Sequence, residues 1–340
     1  MTSLRPWAGL ALIAARFDLS TIIQSLGGPV HAAAASAQAW LRAGLPFEAL
    51  CHLESAGVDA GGLALTPADP RWPVALEGQP HAPVLLGAEG NVELLKRPGV
   101  AVVGARGCTP YGLEHARAIS SAISEAGGVV VSGLARGIDR EAHLSAPGAT
   151  IGVLGQGLDS PMPVWQASVR QRILAGGGLV LSEFPRLMPA DRWTFPVRNR
   201  IVAGLARITV VVEASHQSGA KNTAGHALRL GKDVLALPGP VNAPASAGCL
   251  DLLEDGAGLV RNPGTVLDAA GLRRPTPARA APVGREEQVF AALGSGGSTE
   301  QLVARAGLPY ADVCAALVVL GLTGRVSRLP GNRYVPRGPP

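Results

Sequence analysis

The chain reads as an α/β protein organised around a doubly wound parallel sheet, and three observations predict it. Six short β-branched runs recur at 100–104, 129–132, 151–154, 179–182, 208–213 and 233–237. Helical patterns fall between them, the alternation that parallel sheets require. Most runs end in glycine or serine with a basic residue just beyond, as in Val100-Ala-Val-Val-Gly-Ala-Arg106 and Val129-Val-Val-Ser-Gly-Leu-Ala-Arg136. Ligands of such sheets bind outside the carboxyl ends of the strands. The arginine-bearing turns belong to that edge.

The elements follow in order. Residues 1–64 are rich in alanine and leucine, broken at Gly27-Gly28-Pro29 and Gly44-Leu-Pro46, and read as a small helical domain. Trp7 to Ala15 imitates the apolar core of a signal peptide, but the pattern runs on through Arg16 and Asp18 into 20–26 as an amphipathic helix. Residues 65–97 form a proline-rich connector with one apolar run, Val84-Leu-Leu86. The sheet domain occupies 98–272. Within it, Leu113, Ala116, Ile119, Ile123 and Ala126 share one helical face, Thr109 is placed to cap that helix, Pro110 opens it and Gly127-Gly128 stops it. Residues 273–284 read as a linker. In 285–337, a helix over 285–293, the capping box Ser298-Thr-Glu-Gln301, a third helix after Pro309 and a hairpin turning at Pro330-Gly-Asn332 make a winged helix.

Composition narrows the classes. With 340 residues, 47% hydrophobic and 16% charged, the chain is globular rather than disordered. A net charge of +5 permits an anionic partner without demanding one. Lysine occurs only at 96, 221 and 232, so arginine abundance reflects a general preference and position must carry the argument. The cysteines at 51, 108, 249 and 314 are widely spaced, giving neither a metal clamp nor a disulfide framework. The expected compartment is a reducing cytoplasm. No apolar run approaches membrane-spanning length.

Four turns carry the candidate chemistry. Gly104 lets backbone approach a ligand, the helix after Thr109 offers free N–H groups, and Arg106 adds a planar donor for phosphate. A surface arginine in a tight turn is the plainer reading. Gly133 and Arg136 repeat the arrangement in Ser132-Gly-Leu-Ala-Arg-Gly-Ile-Asp139. Asp139 and His143 lie one helical turn apart, but no third ligand presents itself, so no metal is expected and a contact within the helix is the simpler reading. In Phe195-Pro-Val-Arg198-Asn199-Arg200, a base can stack on Phe195 while the arginines hold phosphates, with Trp193 and Tyr111 as further surfaces. Alternatively Phe195 is core and one arginine pairs with Glu183 or Glu213. The arginine pair is expected to face a ligand. The fourth turn, Ser218-Gly219-Ala-Lys221-Asn-Thr223, is either a phosphate cradle or an ordinary helix cap.

Absences also count. There is no G-x-x-x-x-G-K-[ST] loop, and Gly155-Gln-Gly157 lacks the spacing of a dinucleotide fingerprint, so no cofactor is expected. No Ser–His–Asp or Cys–His set assembles. Glu183 and Glu213 end strands and are either carboxylate catalysts or buried partners of the arginines. The third helix of the winged domain has no Lys, Arg, Asn or Gln to read base edges, which argues against a sequence-reading repressor. The hairpin arginines Arg325, Arg328 and Arg333 are left for phosphate, protein contact or self-association.

Taken together, Val102-Val-Gly-Ala-Arg106 with Tyr111-Gly112, Ser132 to Asp139 with Ala142-His143, Ser182-Glu183, Phe195 to Leu205, Val212-Glu213, Ser218-Gly219 with Thr223-Ala224, Pro238-Gly239, and Gly248-Cys249 leading to Asp255-Gly-Ala257 resemble the DNA-processing protein A (DprA/Smf) family. The resemblance covers about 66–260, extends to the winged helix and is loose over the N-terminal domain. It implies an extended Rossmann-like domain that binds single-stranded DNA without sequence preference and is not an enzyme. It implies a homodimer that loads the RecA recombinase during natural transformation against single-strand-binding protein. Arg106, Arg198, Arg200 and the 218–223 turn map onto the family's phosphate pocket. The chain departs from the family at Lys221-Asn222, where bulky apolar residues are frequent, and at Met162-Pro163, where Tyr-Pro is common. An enzymatic alternative, a nucleotide phosphoribohydrolase on a similar fold, lacks its Pro-Gly-Gly-x-Gly-Thr loop here.

Overall fold

The computed structural model describes residues 20–27, 39, 42–43, 63–79, 81–273 and 284–337. The apolar run 7–15 and most of the expected N-terminal helical domain lie outside them. Within the run 20–26, Ser20–Ser25 forms a helix, α1. The chain divides into two units, Met1–Arg274 and Pro275–Pro340.

In the first unit the strands are β1 Leu63–Leu65, β2 Leu86–Gly90, β3 Gly99–Val103, β4 Val129–Ser132, β5 Thr150–Val153, β6 Leu179–Ser182, β7 Ile208–Val211, β8 Val234–Ala236 and β9 Gly258–Leu259. They form one sheet in the order β1-β2-β6-β5-β4-β3-β7-β8-β9. From β6 to β9 neighbouring strands are parallel. The chain winds outward from β3 through β4, β5 and β6, then returns to the other side of β3 for β7. The β3/β7 junction is therefore the switch point, where a crevice opens.

Burial on both faces explains the continuous apolar runs. Val100 and Val102 pack against α2 Pro110–Glu125, α3 Ile138–Leu144 and α8 Pro263–Ala269. Ala101 and Val103 face the opposite layer of α5 Thr194–Leu205, α6 Gly219–Arg229 and α7 Pro244–Glu254. Helix α4, Val164–Ala175, packs Val169 and Ile173 against Leu134, Leu154 and Val180. Thr109 caps α2 as expected, accepting the Gly112 N–H at 3.2 Å, and Pro110 stands at its start.

The connector is more than a link. Strands β1, which begins two residues before it, and β2, beyond its prolines, add an antiparallel edge to the sheet through β2 and β6. Leu65, Leu86 and Ala88 are buried there. A three-residue strand is too short to show alternation, and the prolines between the two strands mask the pairing.

The second unit has α9 Arg285–Leu293, β10 Gly297–Ser298, α10 Thr299–Ala306, α11 Tyr310–Leu322, β11 Val326–Leu329 and β12 Arg333–Pro336, with sheet order β10-β12-β11. Val289, Leu302, Val313, Leu317 and Val326 form its own core. The capping box is present, with Ser298 and Gln301 each bonding the other's backbone N–H. Helix α11 leaves Ala311, Ala315, Val318 and Leu322 exposed along one face, so its outward surface is apolar. Arg325 pairs with Glu287 and lies 4.2 Å from the Phe290 ring centroid, while Arg328 bonds Asn332 at 2.8 Å. Among the described residues no single helix is long and apolar enough to cross a membrane.

Candidate nucleic-acid interface

At the switch point a cavity of about 880 Å³ opens above the carboxyl ends of β3, β4 and β7. Five segments line it: the loop Gly104–Gly107, the turn at Gly133–Ala135, the start of α5, the turn Ser218–Thr223 and the start of α7 at Pro244-Ala245. Of the residues singled out in the sequence, Gly104, Arg106, Gly133, Phe195, Arg198, Asn199, Ser218, Gly219 and Thr223 line this cavity. Tyr111, Arg136, Arg200 and Lys221 do not.

The loop after β3 is held by tight backbone packing. A side chain at Gly104 would fall within 2.6 Å of Ile138. Ile138 donates its N–H to the Ala105 carbonyl at 3.2 Å, and Gly137 (φ +75°) allows that approach. Arg106 is delivered into solvent, its guanidinium 5.4 Å from the Phe195 ring centroid. Among the described residues it forms no ion pair. Phe195 is half-buried, so it is neither core nor a free platform but a wall of the cavity.

Beneath the turn after β4 lies a buried polar network. Asp139 accepts the N–H groups of Gly133 (3.1 Å) and Ala135 (3.4 Å). His143 Nε2 accepts the Leu134 N–H at 3.4 Å, which leaves Nδ1–H to donate to Thr150 Oγ1 at 2.7 Å. Thr150 in turn donates to the Val130 carbonyl at 3.2 Å. Asp139 and His143 thus bond the turn and the sheet rather than each other. Among the described residues no cluster of three metal-ligating side chains exists. Burial, helped by the Arg198 charge, drives the His143 pKa down to about 3. The imidazole is neutral.

The expectation that Arg198 and Arg200 both face a ligand does not hold. Both lie in α5, and residues two apart on a helix point to opposite sides. Arg198 turns inward and is 4% exposed. Its Nη1 donates to the carbonyls of Gly133 and Val153, and its Nε to Asn199 Oδ1 at 3.2 Å. Burial lowers its pKa to about 10, against the pull of Asp139, so it stays cationic at neutral pH. Burial also raises the Asp139 carboxyl, opposed by Arg198 and by the two N–H groups. Arg200 points away to Glu183, with two contacts of 2.6 Å, and donates its Nε to the His81 carbonyl at 2.8 Å.

The remaining candidates are engaged elsewhere. Glu213 accepts the N–H (2.9 Å) and hydroxyl (2.6 Å) of Thr109, seating a carboxylate at the positive end of α2. Lys221 Nζ bonds Asp251 at 2.6 Å, and Tyr111 donates its hydroxyl to the Pro238 carbonyl at 2.8 Å. Arg136 lies over Trp165, 5.1 Å from the ring centroid. Trp193 packs edge-on against Phe184. Asn199 ties α5 to α6 through the Gly219 carbonyl (3.3 Å) and Asn222 (3.1 Å). Ser218 caps α6 by accepting the Ala220 N–H at 3.2 Å. The structure adds Arg192, an exposed cation on the cavity wall three residues before Phe195. It sits in a loop without periodicity, so the sequence carried no signal for it.

In electrostatic terms the cavity presents two exposed guanidinium groups, a third buried beneath its floor, and a helix N-terminus. Its half-buried aromatic stands beside one of the exposed cations. That combination suits an anionic chain carrying planar groups.

A family model described as DNA recombination-mediator protein A matches residues 64–271, and one described as the DprA winged helix domain matches 273–332. A protein of Mycobacterium tuberculosis (strain CDC 1551 / Oshkosh), named as a DNA processing protein DprA, is 39% identical over 290 residues, covering 78% of this chain and 74% of that protein. The crystal structure of DNA processing protein A from Streptococcus pneumoniae superposes with a TM-score of 0.62 at 31% identity, over 77% of this chain and 97% of that one. A structure of DNA processing protein A from Helicobacter pylori, described for its single-stranded DNA binding mode, gives 0.55 at 30% identity, over 62% and 96%.

Proposed function

Given that this chain belongs to the DNA-processing protein A (DprA/Smf) family, we propose that it grips single-stranded DNA, without sequence preference, in the crevice at the β3/β7 switch point. One observation carries this reading. Arg106 stands exposed over Phe195 with no acidic partner among the described residues, at the mouth of a cavity that Arg192 also lines. Phosphates meet the guanidinium groups at the positive end of α6, while a base meets the exposed part of the Phe195 ring beside Arg106. Every one of these contacts is indifferent to base identity. Duplex DNA hides its base faces and loses the stacking component.

On this reading the protein acts in the cytoplasm as a recombination mediator during natural transformation. It shields the incoming strand, loads the RecA recombinase onto it against single-strand-binding protein, and works as a homodimer. It performs no bond-breaking step: Glu183 is taken up by Arg200 and Glu213 by Thr109, so neither strand-end carboxylate is poised as a base. The same engagement counts against a phosphoribohydrolase.

The test is binding of labelled oligo-dT and of a matched duplex at several salt concentrations. The single strand is expected to bind more tightly. Arg106→Ala and Arg192→Ala should each weaken all sequences alike and flatten the log K against log salt slope by about 0.7 per lost phosphate contact. An unchanged slope in both variants, or a preference for duplex, refutes the assignment.

A further inference from the structure

Arg136 stands outside the cavity, one strand along from β3, on the turn that follows β4. It is exposed, and among the described residues it has no carboxylate partner. Arg117 and Arg200, by contrast, are neutralised by Glu141 and Glu183. What holds Arg136 is Trp165, in the first turn of α4, which follows β5. The stack rests on a braced base. The turn beneath Arg136 is fixed by Asp139, and Gln166, next to Trp165, donates its Nε2 to the Leu134 carbonyl of that same turn at 3.3 Å. Two rigid elements are thus tied together so that an indole carries a guanidinium group facing solvent.

A guanidinium group is planar, weakly hydrated and stacks on both faces. The Arg136 guanidinium carbon lies 5.1 Å from the indole centroid and the side chain is exposed, so its solvent side is open to a nucleobase and its edge still offers N–H donors to phosphate. Neighbouring strands lie about 4.8 Å apart, so the β4 and β5 loops continue the line of the β3 loop within about 10 Å. A single strand leaving the Arg106–Phe195 cavity in that direction meets this stack next.

We propose that Arg136, laid on Trp165, forms a second nucleotide platform that extends the single-strand track beyond the cavity at the switch point. One base stacks on the outer face of the Arg136 guanidinium group and its phosphate bonds the edge. Trp165 is a positioning residue that keeps the plane facing outward. The inference rests on the reading of the crevice as a single-strand interface and adds a site that the central cavity does not contain.

The experiment measures affinity of the full chain for oligo-dT from about 4 to 16 nucleotides, spanning single-strand site sizes. Arg136→Ala and Trp165→Ala should each weaken the longer oligomers roughly five- to tenfold and leave the shortest that binds unaffected. Trp165→Phe should restore most of the loss. Arg136→Lys keeps the charge but not the plane and should recover only part of the loss, the phosphate contact without the stack. The double alanine variant should be no weaker than either single one. Wild-type affinity of Arg136→Lys at every length, or of both alanine variants, overturns the platform. Binding that depends on Arg106 but ignores Arg136 and Trp165 refutes the platform alone. Failure of the unaltered chain to bind single strands refutes the crevice reading with it.

Discussion

Replacing Arg198 by methionine separates the two roles that an arginine at this position can play. As a ligand contact, its loss would cost binding and spare the fold. The structure gives the opposite expectation. The side chain is 4% exposed and donates to the Gly133 and Val153 carbonyls, and it is the nearest compensation for the buried Asp139. Methionine fills similar volume but strands two carbonyls and leaves that carboxyl without its cation. The magnitude is set by the two stranded carbonyls, at about 1–3 kcal/mol for each buried acceptor left unpaired. For a unit of this size, about 2–4 °C per kcal/mol gives a fall in Tm of about 4–24 °C. Urea and thermal unfolding measure it directly. The double variant Arg198→Met with Asp139→Asn should recover part of the loss, because no unpaired charge is then buried. Arg106→Ala, at an exposed site, should stay within about 0.5 kcal/mol of the parent. The reasoning is refuted if Arg198→Met unfolds like the parent while the salt slope of DNA binding drops as for Arg106→Ala.

Further expectations follow from the same framework. His143 titrates near 3 when folded against an ordinary 6.5, so between those values the unfolded chain holds more protons. Its contribution is complete above pH 6.5 and declines as pH falls toward 3, by on the order of a few kcal/mol, and His143→Gln should flatten that limb in pH-dependent unfolding. Gly133→Ala would place a methyl 2.6–2.8 Å from the trapped Arg198 guanidinium group, and a loss of at least about 2 kcal/mol is expected in urea titrations. Lys232 donates to the carbonyls of Ala203 (3.2 Å), Gly204 (2.6 Å) and Ala206 (2.8 Å) at the end of α5, so Lys232→Met should cost about 1–2 kcal/mol by thermal melting. Removing 285–340 should leave oligo-dT affinity largely intact, since that segment has its own core and an apolar third helix.

Much of the sheet was legible because its strands are buried on both faces. Val100 to Val103 and Val129 to Val131 have nothing but apolar neighbours to satisfy, and the sequence says so. The caps at Thr109 and Ser298 were legible because capping is a local bargain between residues three apart. The edge strands β1 and β2 were not: among the described residues β1 pairs only with β2, and the partner that ties β2 to the sheet, β6, lies about ninety residues on and leaves no local mark. At the site, the glycines and Arg106 were readable from turn chemistry. The fate of Arg198 and Arg200 was not: it depends on whether the segment after Phe195 is turn or helix, and the helix sends them in opposite directions. Arg136 was noticed without its support, because Trp165 reaches it from a different strand-to-helix connection. Asp139 and His143 looked like a pair by spacing, yet their partners, Gly133 and Thr150, are set by how the second turn folds back on the sheet.

The neutral imidazole of His143, wedged between a loop amide and a strand hydroxyl, has a consequence for how the crevice meets its cargo. With the Asp139 carboxylate it clamps the second turn from below, so this part of the cavity wall is held by the protein's own groups. On the proposed reading, an incoming polymer surrenders its own freedom without also having to organise this turn. On that same reading, changes at the solvent-facing positions 106 and 192 alter gripping strength and leave the clamp underneath untouched.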